Sequence, residues 1–164
     1  GELRLDIKPA DLNQLVEELI DFLHPQAERQ GIRLRSELVE GAFEVSLDAP
    51  HLKQAVLNLM LNAIQAMSDS KDGRPRELIL RTERGVDADR QPVATLHVID
   101  TGPGIDAETL PRLFRPYFTT KSGGTGLGLP TTRRIIEAHG GRIEVHTEVG
   151  RGTDFVVRLP LRRG

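Results

Sequence analysis

Asp100-Thr101-Gly102-Pro103-Gly104-Ile105 closes an apolar run, Val93 to Asp100, that reads as a strand. Gly102 and Gly104 let the chain turn sharply and bring backbone close to a flat ligand. Asp100 then presents a carboxylate, an acceptor-only group at neutral pH, into a largely apolar crevice. The exocyclic amine of adenine is a suitable donor for it. An Asp-x-Gly turn also ends many strands that bind nothing, so this stretch alone leaves both readings open.

Two further clusters flank it. Gly123-Gly124-Thr125-Gly126-Leu127-Gly128-Leu129 runs into a helical pattern from Leu127 to Ala138. Alternating glycines expose successive backbone N–H groups, and a helix start adds orphan donors and a positive dipole end, so phosphate oxygens fit there. No Gly-Lys-Ser or Gly-Lys-Thr follows, which excludes a Walker loop, and no strand leads directly in, so the dinucleotide fingerprint is incomplete. A flexible lid hinge is the alternative. Ten of the 16 glycines lie between Gly102 and Gly152, which concentrates close backbone approach in this half of the chain. The third cluster is Asn58-Leu59-Met60-Leu61-Asn62-Ala63. Its two asparagines share one helical stripe, roughly 40° apart around the axis. An amide oxygen is a hard, neutral ligand suited to Mg²⁺, which also takes waters and phosphate oxygens. Capping or core-satisfied amides are the alternative.

The rest of the chain supplies the scaffold. Leu12, Leu15, Val16, Leu19, Ile20 and Leu23 predict a first amphipathic helix, opened by a capping-box pattern at Asp11-Leu12-Asn13-Gln14 and kinked or ended by Pro25. Ile32–Leu38 and Phe43–Leu47 predict two strands, joined as a hairpin around Glu40-Gly41. Ala49-Pro50 opens a second helix to about Met67, with Leu52, Ala55, Val56, Leu59 and Ala63 on its buried face. Strands follow at Glu77–Glu83 and Val93–Asp100, then a long irregular stretch with a short helix near Ala107–Leu113. So long a loop points to a lid or binding loop. The third helix precedes a closing hairpin, Arg142–Glu148 and Thr153–Leu159, turned at Gly150-Arg151-Gly152. The order predicts an α+β fold: a two-layer α/β sandwich whose mixed, mostly antiparallel sheet carries three helices on one face.

The chain has 164 residues, 38% hydrophobic and 28% charged, which suits one packed domain rather than a disordered segment. A formal net charge of −2 with no basic stripe argues against nucleic acid as a partner. No cysteine is present, which excludes disulfides and thiolate metal sites and fits a reducing compartment. No apolar run approaches the roughly 20 residues that cross a bilayer, so no direct membrane contact is expected.

Taken in order, the clusters resemble one family, the GHKL ATP-binding (Bergerat) fold of gyrase, heat-shock chaperone, MutL and histidine kinases. Asn58 to Ala63 resemble its N box, Asp100 to Ile105 its G1 box and Gly124 to Leu129 its G2 box. Leu113-Phe114-Arg115-Pro116-Tyr117-Phe118-Thr119-Thr120-Lys121 resembles the F box of sensor histidine kinases, and Gly150-x-Gly152-Thr153 that family's closing hairpin. The likeness spans about residues 6 to 160 and is nearest to the nitrogen-regulatory type, with Thr-Thr-Lys in the lid. It implies ATP and Mg²⁺ as cofactors. Residues 1–10 are then the end of a linker from a missing dimerisation and phosphoacceptor domain, and 11–164 the catalytic and ATP-binding domain.

The roles that the resemblance implies follow position by position. Asn62 holds Mg²⁺, and Asn58 supports the phosphates or a metal-bound water. Asp100 reads the adenine amine, with Gly102, Gly104 and Ile105 shaping the pocket and the Thr153 hydroxyl near the same ring edge. Gly124, Thr125, Gly126, Leu127, Gly128 and Leu129 line the polyphosphate. Phe114 and Phe118 anchor a lid that also brings Thr119 and Thr120 to the nucleotide. Many relatives place a lysine three residues after the metal asparagine; Gln65 stands there, and Lys121 could supply the charge.

The gyrase-like branch carries a glutamate general base one turn before the metal asparagine. Asn58 occupies that position and cannot accept a proton, so transfer to another group is favoured over hydrolysis. The family's acceptor histidine is followed by Glu or Asp; none of His24, His51, His97, His139 and His146 is. His139 is expected to end the third helix as a cation suited to the dipole. The expectation is therefore the catalytic domain of a cytoplasmic protein-histidine kinase module, monomeric alone, in a homodimeric parent that can be membrane-anchored. Its partners are the upstream acceptor domain and, indirectly, a response regulator. A pseudokinase or anti-sigma-like binding module and a GHKL ATPase are the alternatives.

Overall fold

The computed structural model describes residues 3–116 and 128–161. Strand β1 (Lys8–Asp11) leads into helix α1 (Leu12–Arg29), followed by β2 (Ile32–Glu37), β3 (Glu44–Leu47), α2 (Ala49–Asp69), β4 (Arg76–Val86) and β5 (Pro92–Asp100). A 3₁₀ turn (Leu110–Arg112), α3 (Gly128–Ala138), β6 (Arg142–Glu148) and β7 (Gly152–Pro160) complete it. The main sheet has the order β2-β4-β5-β7-β6. Among the described residues, β2 and β4 run parallel and the other pairings are antiparallel.

One sheet face is apolar and one is charged, as the alternation along each strand requires. Leu78, Leu80, Leu96, Val98, Phe155, Val157 and Leu159 join Leu12, Val16, Leu52, Val56, Leu59, Met60, Ile135 and Ile136 of the three helices in one core. On the other face Arg35 pairs with Glu37 and Glu77, Arg81 with Glu37, and Arg158 with Glu144. These half-exposed pairs keep that face solvated and add only modest stability.

Several expectations are corrected. The strands Ile32–Glu37 and Glu44–Leu47 exist but form no hairpin. β2 pairs with β4, and β3 pairs with β1 in a separate two-stranded sheet. The linking loop finds its partners on α1: buried Asn13 donates to the carbonyls of Val39 (2.8 Å) and Gly41 (2.9 Å). Its oxygen accepts from the Thr82 hydroxyl (2.8 Å), which in turn accepts from Val39 N–H (3.0 Å). Pro25 does not end α1, which continues to Arg29 because Leu23 and Ala27 hold its last turns in the core. Residues 8–10, read as linker, form the strand that pairs with β3.

Asp11 caps α1 as expected, accepting from Asn13 N–H (3.0 Å) and also from Phe43 N–H (2.9 Å), while Gln14 turns along the helix to Glu18. Asp48 caps α2 through His51 N–H (3.1 Å), pairs with the His51 ring (2.9 Å) and accepts Asp6 N–H (2.8 Å). Asp48 N–H donates to Nε2 of buried His139 (3.0 Å), whose Nδ1 lies 2.8 Å from the Ile135 carbonyl. Since a backbone N–H can only donate, Nε2 must be unprotonated. His139 is therefore a neutral bridge from α3 to the start of α2, not the helix-end cation expected above.

Burial pushes the Asp48 carboxyl up, but the N–H groups of Asp6 and His51 and the His51 ring outweigh it and hold it below the usual carboxylate range. A depressed native pKa adds stability that is complete above the ordinary carboxylate pKa and is lost as pH falls through the native value. Asp48→Asn keeps a capping oxygen but loses the charge that these donors stabilise, and should cost about 1–3 kcal/mol at pH 7 in urea unfolding, in the range of hydrogen bonds to a charged group. That cost should shrink as pH falls through the acidic range; a constant cost from pH 7 to pH 3 would refute the assignment.

Candidate functional site

Helix α2 forms the floor. Asn58, Asn62 and Ala66 follow one another at helical spacing, covering about 12 Å of axis, and all three are half-buried. Asn58 Nδ2 donates to the Gly128 carbonyl at the start of α3 (3.4 Å). At the other end, a Cβ on Gly102 would lie 3.4 Å from Met67 Cγ and 3.8 Å from the Ala66 carbonyl carbon. The stripe thus runs from the α3 start to the turn after β5, with Asn62 midway. Gln65, exposed on the next stripe, turns to Asp69 (2.9 Å).

The wall is the end of β5. Asp100 is 5% exposed, and its Oδ1 accepts Gly102 N–H at 2.8 Å. A Cβ on Gly102 would stand 2.9 Å from that oxygen, so glycine keeps the carboxylate uncrowded. The β5–β7 register sets Thr153 opposite Asp100, buried, with its hydroxyl 2.9 Å from that of Thr147. Thr147 also accepts Ile105 N–H (2.9 Å), which ties the turn to β6.

Gly104, at φ +79°, lets the turn press on the Glu148-Val149 backbone; a Cβ there would sit 2.4 Å from the Glu148 oxygen. Its place is behind the wall, in backbone packing. Phe114 and Leu129 pack against the core, and the Arg133 guanidinium lies over the Phe114 ring at 5.2 Å. Gly128 opens α3 with open space where a Cβ would be. Phe118, Thr119, Thr120, Lys121, Gly124, Thr125, Gly126 and Leu127 lie outside the described residues.

The residues fit a nucleotide better than a metal alone. Among the described residues no three His, Asp or Glu side chains converge on a possible metal position. A divalent ion at Asn62 would therefore need other oxygens, such as those of a polyphosphate. The buried acceptor Asp100, an apolar strand end and an amide-lined floor suit a base, with phosphates toward the α3 start.

The histidine kinase-, DNA gyrase B-, and HSP90-like ATPase family matches residues 47–163, well over half of the chain. The chain belongs to this family. The sensor histidine kinase ZraS of Escherichia coli (strain K12) is 36% identical over 157 residues, covering 96% of this chain and 32% of that protein. The catalytic domain of histidine kinase ThkA, in a nucleotide-free form, is 29% identical with a TM-score of 0.81, covering 96% of this chain and 97% of that one. Full-length ShkA in complex with AMPPNP is 25% identical with a TM-score of 0.84, covering all of this chain and 33% of that one. The chain thus spans about a third of the length of curated relatives such as ZraS.

Within this ATPase family, the domain binds ATP, and the mixed five-stranded sheet with three helices is the histidine kinase ATP-binding fold. Sequence reasoning missed Arg74, Thr101 and Thr147, which lace the family's G1 turn to its neighbours. The Thr101 hydroxyl donates to the Pro75 carbonyl (2.9 Å) and accepts Glu77 N–H (2.8 Å). Nothing local in the sequence marks these three, because each is defined by a backbone group far along the chain. All five histidines have partners: His24 with Glu28, His51 with Asp48, His97 with Asp154, His146 with Glu144, and His139 as above. No helix among the described residues is long and apolar enough to cross a membrane.

Proposed function

We propose that this chain is the catalytic part of a sensor histidine kinase: it binds Mg-ATP and presents the γ-phosphate to a histidine carried by another part of its parent. The observation that carries the reading is the α2 stripe, which joins the Asp100-Gly102 wall to the Gly128 helix start through Asn62. Asp100 accepts from the base amine, and the Thr153 hydroxyl lies beside it. Asn62 offers its oxygen to Mg²⁺, which neutralises developing phosphate charge when bound. Asn58, which lacks a basic oxygen, holds the α3 start rather than activating water. The lid residues Phe118, Thr119, Thr120 and Lys121 and the glycines 124 and 126 complete the nucleotide's surroundings, with Phe114 as the lid's root.

Dimerisation through an upstream acceptor domain, relay to a response regulator and a cytoplasmic setting follow from the same reading, supported by the kinases that the chain resembles. The test mixes labelled ATP, this chain and a separately produced acceptor domain of the parent. Label should appear as phosphohistidine on the acceptor domain and not on this chain. Asn62→Ala should lower Mg²⁺ affinity in the nucleotide complex at least about 10-fold, as loss of metal-site partners does. Phosphohistidine on this chain, or steady phosphate release by it alone, would overturn the proposal; the second result would favour an ATPase.

A further inference from the structure

The loop between α2 and β4 holds an arginine that reaches both backbone turns behind the base wall. Arg74 Nη2 donates to the Gly102 carbonyl (2.7 Å), and Nη1 to the Arg151 carbonyl (3.4 Å). Nε and Nη2 both reach Asp72 Oδ2 at 3.0 Å. Asp72 is itself held by Arg74 N–H (3.0 Å) and the Ser70 hydroxyl (3.0 Å). The backbone N–H of Arg74 and then its guanidinium keep the Asp72 carboxyl below its ordinary range, so this anchor is charged at neutral pH.

The two carbonyls belong to different turns. Gly102 follows the end of β5, and Arg151 lies in the β6–β7 turn. These turns also touch directly through Gly150 N–H and the Pro103 carbonyl (2.8 Å). Gly102 is the residue whose N–H holds Asp100 Oδ1. The line therefore runs from Asp72 through the guanidinium to Gly102 and on to the buried carboxylate. A guanidinium can span such a set of acceptors with fixed geometry, whereas an ammonium is a point charge on a flexible stem.

We propose that Arg74 is a positioning residue for base recognition: by bridging the Gly102 and Arg151 carbonyls it sets the turn that aims the Asp100 carboxylate at the nucleotide base. The proposal rests on the reading of Asp100 as the adenine acceptor. Its consequence is a coupling between Arg74 and Asp100, of which only Asp100 touches the base. Coupling of this kind is worth roughly 5- to 150-fold in affinity, and a solvent-accessible arginine belongs at the low end.

The test is calorimetric titration of the intact protein with ATP and with GTP, with thermal midpoints in parallel, for Arg74→Ala, Arg74→Lys, Asp100→Asn and the double variant Arg74→Ala/Asp100→Asn. Arg74→Ala should weaken ATP binding about 5- to 10-fold and narrow the preference for ATP over GTP. Arg74→Lys should recover part of that loss. In the Asp100→Asn background the further loss from Arg74→Ala should fall below about 2-fold, because the two act on one contact. Equal losses in both backgrounds, or equal losses for both nucleotides, would make Arg74 a plain structural staple and overturn the proposal while Asp100 keeps its role. An Asp100→Asn variant that binds ATP like the wild type would instead remove the Asp100 reading, and Arg74's role with it. Should Arg74→Ala not fold, Asp72→Asn keeps the guanidinium but releases its anchor, and should give a smaller loss of the same ATP-selective kind; a non-selective loss or none would count against the proposal.

Discussion

Asp100→Asn should lose about 10- to 150-fold in ATP affinity with little change in thermal midpoint. The lost contact is a charge-assisted hydrogen bond in a desolvated wall, worth roughly 1.5–3 kcal/mol. The asparagine oxygen can still accept Gly102 N–H, which in the native protein donates to Oδ1 at 2.8 Å. The amide nitrogen then meets the adenine amine, donor against donor. Asp100→Ala should lose a similar factor in affinity but also cost about 1–3 kcal/mol of stability, because it strands that buried N–H. Titration with ATP and GTP, paired with urea unfolding, separates the two effects. Unchanged affinity for both nucleotides in the asparagine variant would show that Asp100 does not read the base.

Gly152→Ala should damage the fold and the site together. Gly152 opens β7 at φ +144°, and a Cβ there would lie 2.0 Å from the Asp100 carbonyl oxygen and 3.1 Å from Thr101 Cα. The obstacle is backbone on both counts, so no side chain can rotate away. Backbone strain and overpacking each cost about 1–3 kcal/mol, giving a loss on the order of 3–5 kcal/mol against a typical total of about 5–15. To relieve it the end of β5 must move, and Asp100 with it, so ATP affinity should fall as well. Gly150, two residues earlier, is the control. It also has positive φ (+85°), but nothing lies within 4 Å of where its Cβ would be. Gly150→Ala should cost only about 1–2 kcal/mol and leave nucleotide binding intact. Equal effects at the two positions would show that the close approach to Asp100 is unimportant.

Local signals in the sequence carried far. The helical period of Leu52, Ala55, Val56, Leu59 and Ala63 places α2 and its buried face, and the spacing of Asn58 and Asn62 puts both on the stripe that floors the site. The Asp-x-Gly turn locates the buried carboxylate, and the Gly150–Gly152 turn locates the closing hairpin. Each is a property of a few neighbouring residues, set by steric limits on φ and by which side of a helix or strand a residue takes.

Choices among distant partners were decided only when the chain was folded. Ile32–Glu37 and Glu44–Leu47 are strands by composition, but a hairpin and a parallel crossover look alike until Asn13 and Thr82 take the hydrogen bonds of the loop between them. His139 looks like a helix-end cation until the Asp48 N–H, 91 residues away, requires its Nε2 to accept. Arg74 is one of many charged residues in the sequence. It becomes part of the base wall only because the carbonyls of Gly102 and Arg151, 28 and 77 residues further on, come within its reach. The sequence by itself determined the α2 stripe and the turns after β5 and β6, because periodicity and turn geometry are local. The tertiary structure decided what holds those residues in place, because a hydrogen-bond partner is chosen in space and not along the chain.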